Sequence, residues 1–309
     1  MCRKGRMTTM LALLAVLCMI ISACSSSSSS GSNNNNSTSQ GTAQGPQCVN
    51  ESITFDGSTA LFPLANDVAN AYEDKCSGAT ITPKQSGSSA GLAAVSSGSV
   101  AIGNSDIFAD PAKYPGLIDH QVAVVIFSVV LNKNVTHVTN LTSQQITDIY
   151  TGEIANWKQV GGPNLPIVTI YRKSGSGTRV TFDTYVLNGV TEKTDAASIN
   201  GDSSGDVATV VSQTAGGIAY VATSYAQAKN LTTIKIDGVD DSEANVRNNT
   251  YKFWNIEHMY TKVQPTGLTK AFINYMGSND SEVVGARKKD GFFTLSDLTQ
   301  AAIAAKQPK

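Results

Sequence analysis

The chain has 309 residues, 41% apolar, 15% charged and 7% aromatic, with a formal net charge of −1. That is enough chain for one large or two medium domains with a sizeable core. A charge so near zero lacks the basic excess of a nucleic-acid-binding protein, no internal repeat points to a solenoid or propeller, and the apolar runs are too short for a polytopic membrane protein.

The N-terminus reads as an address. Arg3, Lys4 and Arg6 precede an apolar stretch from Met10 to Ile21 that ends in Ser22-Ala23-Cys24. A basic start, a short apolar run and a small-residue site describe a secretory signal over residues 1–23. The ending resembles the bacterial lipobox, whose cysteine carries lipid and becomes the first mature residue; the alternative is a plain signal peptide in which Cys24 is incidental. Residues 24–47 are dominated by Ser25 to Ser30 and Asn33 to Asn36, too polar to bury a core, and read as a tether. With Cys2 and Cys18 lost with the signal and Cys24 lipidated, Cys48 and Cys76 remain, a pair that exported proteins normally join; two buried thiols are the alternative. There is no C-x-x-C, and His120, His137 and His258 are scattered, so no metal site and no cofactor are expected.

From Ser52 onward the chain alternates strands and helices. Ser52 to Phe55 predicts a strand, and Gly57-Ser58-Thr59 opens a helix whose Leu61, Leu64, Ala65, Val68, Ala69 and Tyr72 share one face. Pro63 suits its first turn. Ala79 to Pro83 predicts the next strand, and Gly87-Ser88-Ser89-Ala90-Gly91 leads into another helix. Val100 to Ile102 is strand-like, ending at Gly103-Asn104-Ser105-Asp106, and Val122 to Leu131 has the unbroken apolarity of a strand buried on both faces. Thr142 and Gln145 match a capping box for a helix carrying Ile146, Ile149 and Tyr150. Pro166 to Tyr171 predicts a strand, and a helix with Val180, Phe182, Tyr185 and Val186 follows. Val207, Val210 and Val211 mark a helix, Ile218 to Val221 and Leu231 to Ile236 two strands, and Leu268 to Met276 a last helix. Such alternation means an α/β protein with mainly parallel sheets. The charges of Arg287-Lys288-Lys289-Asp290 read as an exposed face.

Three strand-to-helix loops share one design: Gly57-Ser58-Thr59, Gly87-Ser88-Ser89 and Gly175-Ser176-Gly177-Thr178, the last preceded by Arg172. Helix N-termini leave backbone N–H groups unpaired and carry partial positive charge, so they suit an anion. Singly, each loop could be an ordinary Ser/Thr cap. Together, beside an arginine, they suggest convergence on one oxyanion. None contains the Gly-Lys-Ser/Thr of a nucleotide P-loop.

The ordered set Gly57-Ser58-Thr59-Ala60-Leu61, Gly87-Ser88-Ser89-Ala90-Gly91, Ile102-Gly103-Asn104-Ser105-Asp106, Ile149-Tyr150-Thr151-Gly152-Glu153-Ile154-Ala155-Asn156-Trp157, Arg172-Lys173-Ser174-Gly175-Ser176-Gly177-Thr178 and Gly216-Gly217-Ile218-Ala219-Tyr220 closely resembles the phosphate-binding lipoproteins of bacterial phosphate ABC importers, from about Thr54 to about Leu298. The resemblance implies a two-lobed type II periplasmic-binding-protein fold with the ligand in the cleft. Lobe one would be residues 48–130 plus 230–309, and lobe two residues 131–229. It implies a monomer that binds inorganic phosphate, without covalent chemistry, and passes it to a membrane permease. Ser58, Thr59 and the Ala60 N–H would hold phosphate from the first helix, Ser88 from the second, and Ser176, Gly177 and Thr178 from the third, with Arg172 as the guanidinium. Asp106 would accept the proton of a P–OH group, an arrangement that rejects sulfate, which has no such proton; a cap or a surface carboxylate is the plainer reading of Asp106. Many relatives carry an acid where Ser174 stands, able to orient the arginine, and an Asp where Ala101 stands. Asn156 and Trp157 read as structural.

Two rivals stay open. Gly87-Ser88-Ser89-Ala90-Gly91 fits the nucleophile elbow G-x-S-x-G, with Ser89 as nucleophile and one of the three histidines as base. Gly201-Asp202-Ser203-Ser204-Gly205 fits too, but no convincing strand precedes it. The same fold could instead take molybdate, sulfate or a phosphorylated metabolite.

Overall fold

The computed structural model describes residues 45–194 and 199–308. The expected signal, the lipid-bearing Cys24 and all but the last three residues of the expected tether lie outside the described residues. In chain order the elements are β1 (Ser52–Gly57), α1 (Phe62–Lys75), β2 (Thr80–Pro83), α2 (Ser88–Ser97), β3 (Ile102–Ser105), β4 (Ile118–Leu131), β5 (Asn140–Leu141), α3 (Ser143–Thr151), β6 (Val168–Arg172) and α4 (Gly177–Tyr185). They continue with β7 (Ile199–Gly201), α5 (Ser204–Gln213), β8 (Gly217–Ala222), α6 (Thr223–Ala228), β9 (Thr232–Ile236), α7 (Glu243–Arg247), β10 (Trp254–Thr261), α8 (Gly267–Met276), α9 (Ser281–Lys289) and α10 (Gln300–Lys306).

The strands run in the order β2-β1-β3-β10-β4-β8-β6-β7, with β9 paired to β4 and β5. β4 organises the fold. Its first part, Ile118 to Ile126, pairs with β10, while Phe127 to Leu131 pairs with β8. One strand thus serves two sheets, one on each side, and its apolar run is buried from Val122 onward because both neighbours and both faces are covered. The result is a two-lobed α/β fold. The pairing is less parallel than the alternation predicts: β1–β2, β1–β3, β6–β7, β6–β8 and β5–β9 are parallel. Every pair involving β4 or β10 is antiparallel, because these long strands carry the chain between the two sides.

Sequence patterning misses some elements. β10 is absent from it because Trp254-Asn255-Ile256-Glu257-His258 places polar residues where a buried strand is expected to be apolar, yet every residue of β10 is buried. Leu268 to Met276 is not the last helix; α9 and α10 follow, short and weakly amphipathic. The 287–290 charge run is only half exposed, since Arg287 and Asp290 are buried while Lys288 and Lys289 face solvent. β3 extends through Asn104 and Ser105, and β7 does precede Gly201-Asp202-Ser203-Ser204-Gly205, though three residues are too few for a periodic signal.

The predicted capping box of α3 is present, with Thr142 and Gln145 exchanging side-chain to backbone bonds. The predicted α1 face is buried from Leu64 to Tyr72, and Tyr72 meets Phe272 and Tyr275 of α8 edge-on. Trp157 is fully buried and donates its Nε1–H to the Gly216 carbonyl (2.9 Å), while Asn156 caps the turn that carries it. A Cys48–Cys76 disulfide, Cα atoms 5.2 Å apart, pins the entry to β1 against the end of α1. Among the described residues no helix is long and apolar enough to cross a membrane.

Candidate anion-binding site

The three glycine-rich loops meet where the two sides of the molecule face each other. At Gly57 the backbone adopts a φ of +133°, and an added Cβ would lie 2.0 Å from the Asn104 carbonyl oxygen. Only glycine lets the β1–α1 turn press on β3 in this way. Ser58 N–H then donates to that same carbonyl (2.9 Å), and Ser58 Oγ accepts from the Ala60 and Leu61 N–H groups (3.1 and 2.9 Å). The regular helix begins only at Phe62, so Ser58 to Leu61 form a capped turn ahead of it.

The second and third loops interlock. Ser89 N–H donates to the Gly175 carbonyl (3.0 Å). A Cβ on Gly177 would sit 2.5 Å from Ser88 Oγ and 2.8 Å from Asp106 Cβ. α4 therefore starts against α2 and the end of β3 at a distance no side chain permits. Ser176 is its N-cap, its Oγ accepting from the Arg179 N–H (3.3 Å), and Ser88 Oγ accepts from the Asp106 N–H (3.1 Å).

Arg172 ends β6 and is 1% exposed. Its Nη2 donates to Thr59 Oγ1 (3.0 Å) and its Nη1 to Ser204 Oγ (3.1 Å), with a longer contact to Thr178 Oγ1 (3.5 Å). Thr178 in turn donates to Asp106 Oδ2 (2.8 Å). Burial lowers the guanidinium's pKa and Asp106 raises it; an arginine starts high enough to remain charged. Cation and carboxylate are thus linked through a hydroxyl rather than in direct contact. Arg172 Nε and Asp106 Oδ1 have no hydrogen-bond partner among the described residues.

No acid stands at position 174, and the arginine is held by its backbone instead. Tyr220 Oη accepts from the Arg172 N–H (3.1 Å), and Arg179 Nη1 donates to the Arg172 carbonyl (2.9 Å). Arg179 is fixed by Glu192 at 3.0 Å. Burial lifts Glu192 to about 7, against the pull of Arg179.

Ser58, Thr59, Ala60, Ser88, Asp106, Arg172, Ser176, Gly177 and Thr178 are all buried and lie in this one cluster. Sequence reasoning missed Ser204. It opens α5, donates its N–H to Thr59 Oγ1 (3.2 Å) and shares a hydroxyl contact with Thr59 (2.9 Å). The available signal was the fourth Gly/Ser loop, Gly201 to Ser204, followed by the Ser203–Asp206 capping box. Tyr225 of α6, also missed, donates to the Thr59 carbonyl (2.8 Å).

Ser89, the proposed nucleophile of the hydrolase reading, borders a surface groove with Lys113, Tyr114 and Lys173, and no histidine lines it. His258 instead meets Asp119 (2.8 Å) and His120 meets Thr261 (3.1 Å). Among the described residues no cluster of His, Cys, Asp or Glu is arranged to hold a metal. What converges is a set of hydroxyls and one guanidinium, all able to donate, with one carboxylate able to accept. Donors gathered around one carboxylate, which can only accept, suit an oxyanion that carries one proton.

Comparison with known proteins agrees with this chemistry. The PBP superfamily domain matches residues 35–280. The phosphate-binding protein PstS of Bacillus subtilis is 38% identical over 242 residues, covering 77% of this chain and 79% of that one. A solved chain from Clostridium perfringens, described as a phosphate ABC transporter substrate-binding protein with bound phosphate, superposes with TM-score 0.72 at 31% identity, covering 79% of this chain and all of its own (100%). An ABC-type phosphate transport receptor from Vibrio cholerae shares the fold at TM-score 0.63 and 22% identity, over 78% of this chain and 99% of its own. The chain belongs to the PBP superfamily and, within it, to the family of PstS-type phosphate-binding proteins.

Proposed function

We propose that the chain is the extracytoplasmic receptor of a phosphate ABC importer: it binds inorganic phosphate in the Arg172 cluster and delivers it to the membrane permease. The observation that carries this is the convergence of Thr59, Thr178 and Ser204 on the Arg172 guanidinium, one hydroxyl away from Asp106. Arg172 supplies the charge and a planar pair of donors. Ser58, Thr59, Ala60, Ser88, Ser176, Gly177 and Thr178 supply the loops whose hydroxyl and N–H groups turn to the anion, and Ser204 adds a fourth. The site binds without covalent chemistry, one ligand to one chain.

Asp106 sets selectivity. An ionised carboxylate only accepts hydrogen bonds, so it suits the oxygen of phosphate that keeps its proton. Sulfate would face it with a second acceptor, leaving both desolvated and unpaired at a cost of about 1–3 kcal/mol or more.

β4 and the segment between β9 and β10 are the two crossings on which the lobes would close. We divide the lobes at β4 and, because β9 pairs with β4 and β5, between β9 and β10. Closure would bury the ligand, and the closed form is the one a permease can recognise. Ile21-Ser22-Ala23-Cys24 supports removal of residues 1–23 and a lipid anchor on Cys24.

The test is titration calorimetry on the full chain in detergent, after unfolding and refolding to strip bound anion. We expect tight binding of phosphate, no response to sulfate, and a gain of sulfate binding in Asp106→Asn. No heat with phosphate overturns the function; an Asp106→Asn protein that still ignores sulfate overturns the selectivity mechanism. Intact mass of membrane-extracted protein checks the anchor at Cys24.

A further inference from the structure

The buried groups of the cleft include one carboxyl that the binding scheme does not use. Glu257 lies in β10, fully buried, and neither of its carboxyl oxygens has a hydrogen-bond partner among the described residues. Strand register puts it beside the ligand machinery. β3 and β10 pair antiparallel with Ser105 opposite His258 as the last pair of the ladder, so Asp106 and Glu257 are the residues just beyond it, close enough to repel each other. Residues opposite each other across two strands share a face. Asn255, two positions earlier in the same strand, donates to Thr181 Oγ1 of α4 (3.1 Å), so this face of β10 looks toward the helix that begins at Gly177.

Two carboxyls so placed in a dry interior cannot both be ionised without strong repulsion. The surroundings decide which keeps the proton. Asp106 accepts the Thr178 hydroxyl at 2.8 Å, and that hydroxyl also lies against the Arg172 guanidinium. Among the described residues Glu257 has no donor, and Asp106 is the charged group that acts on it. β4 sets Ala123 opposite it, α2 packs the apolar Leu92 and Val95 with Tyr260 of the same strand, and α4 offers the neutral Thr181 to Asn255. His258, next in the chain, gives its Nδ1 to Asp119 (2.8 Å) and stacks with Tyr260. Burial and the nearby Asp106 both push the Glu257 carboxyl well above the usual range.

We propose that Glu257 is a positioning residue of the phosphate site: it holds the one carboxyl proton of this face, so that Asp106 alone is charged, and its ionisation sets the alkaline limit of anion binding. This rests on the phosphate reading above. The sign follows from linkage. The neutral form of Glu257 prevails from acid pH up to its raised pKa, and a bound anion favours that form further. As pH rises past that point, a second negative charge develops beside Asp106 and affinity falls.

The experiment compares phosphate dissociation constants across pH for the full-length wild type and Glu257→Gln, which keeps the shape and cannot ionise. Changes in phosphate's own charge are common to both proteins and cancel in their ratio. We expect the wild-type to variant ratio of dissociation constants to rise on the alkaline side, by up to tenfold per pH unit for one proton. A ratio that stays constant up to the pH at which the fold is lost overturns the proposal, while loss of phosphate binding by the wild type at neutral pH would overturn the phosphate reading itself. A second measurement needs no variant. Infrared spectra of the wild type above the pH at which Glu192 (about 7), Asp183 and Asp290 (about 6) have ionised, and below the pH at which that ratio begins to rise, should retain a protonated-carboxyl band. The lack of that band overturns the assignment of the proton to Glu257.

Discussion

Two of the buried cations, almost equally deep, are provided for in opposite ways. Arg172 is 1% exposed and Lys306, in the C-terminal helix α10, is 4% exposed. Around Arg172 stand three hydroxyls and, one bond further, a carboxylate. Lys306 has one backbone acceptor, the Lys252 carbonyl at 2.9 Å, and otherwise lies over the rings of Tyr185 (3.1 Å) and Trp254 (4.8 Å). Among the described residues no carboxylate pairs with it, and burial, with a smaller push from Lys252, pulls its pKa down to about 6. A lysine can shed its proton to escape a poor environment; an arginine cannot. On the proposed function, the residue that must keep its charge is Arg172, and its partners are hydroxyls able to turn toward an anion. The lysine at the chain's end joins α10 to Tyr185 of α4 and to β10, a role that an uncharged amine fills as well.

That contrast is broken most severely by placing the adaptable cation in the cleft. Arg172→Lys keeps a positive charge but loses the fork that reaches Thr59 and Ser204 together. Phosphate affinity should fall by about 2–5 kcal/mol, the range for disturbing a buried, hydrogen-bonded charge, as read by calorimetry. Retained affinity would mean that charge alone, not the planar donor pair, holds the ligand. Gly177→Ala tests the close approach from the other side. Its Cβ would meet Ser88 Oγ at 2.5 Å and Asp106 Cβ at 2.8 Å, so the two loops must part. Overpacking of this kind costs about 1–3 kcal/mol, and we expect it chiefly as weakened phosphate binding. A variant with unchanged affinity would show that the loops have slack.

How much of this was legible beforehand depended on whether a residue's signal was local. The loops at Gly57, Gly87 and Gly175 combine positive φ with a helix start, which a short window of sequence announces, and each delivers buried residues to the cluster. Cys48 and Cys76 could be paired by counting. Ser204 escaped because β7 has only three residues and its loop looks like any serine cap. β10 escaped for a deeper reason. Its Asn255, Glu257 and His258 are buried because of what β3, β4 and α4 bring to them, and no feature of the strand itself distinguishes that from exposure. The parallel bias was overestimated on the same grounds: strand direction at β4 and β10 is set by crossing between lobes, a tertiary property.

The mildest test concerns the aromatic seat of Lys306. Replacing Lys306 by Met keeps the stem that packs on Tyr185 and Trp254 and removes the group that can be charged. The sign of the pH effect follows from the lowered pKa. Below about 6 the amine is protonated in both folded and unfolded chains, and the folded protein carries the whole cost of burying it. Between that value and the ordinary lysine pKa, the unfolded chain binds the extra proton, so wild-type stability rises with pH relative to the variant. Lys306→Met should therefore be more stable than wild type on the acid side, by about 1–3 kcal/mol as for other buried charges replaced by apolar groups. Its advantage should shrink steadily as pH rises above 6. Thermal melts of both proteins across that range decide it: a gap that stays constant would mean that the rings and the Lys252 carbonyl keep Lys306 charged, and that the two buried cations are alike after all.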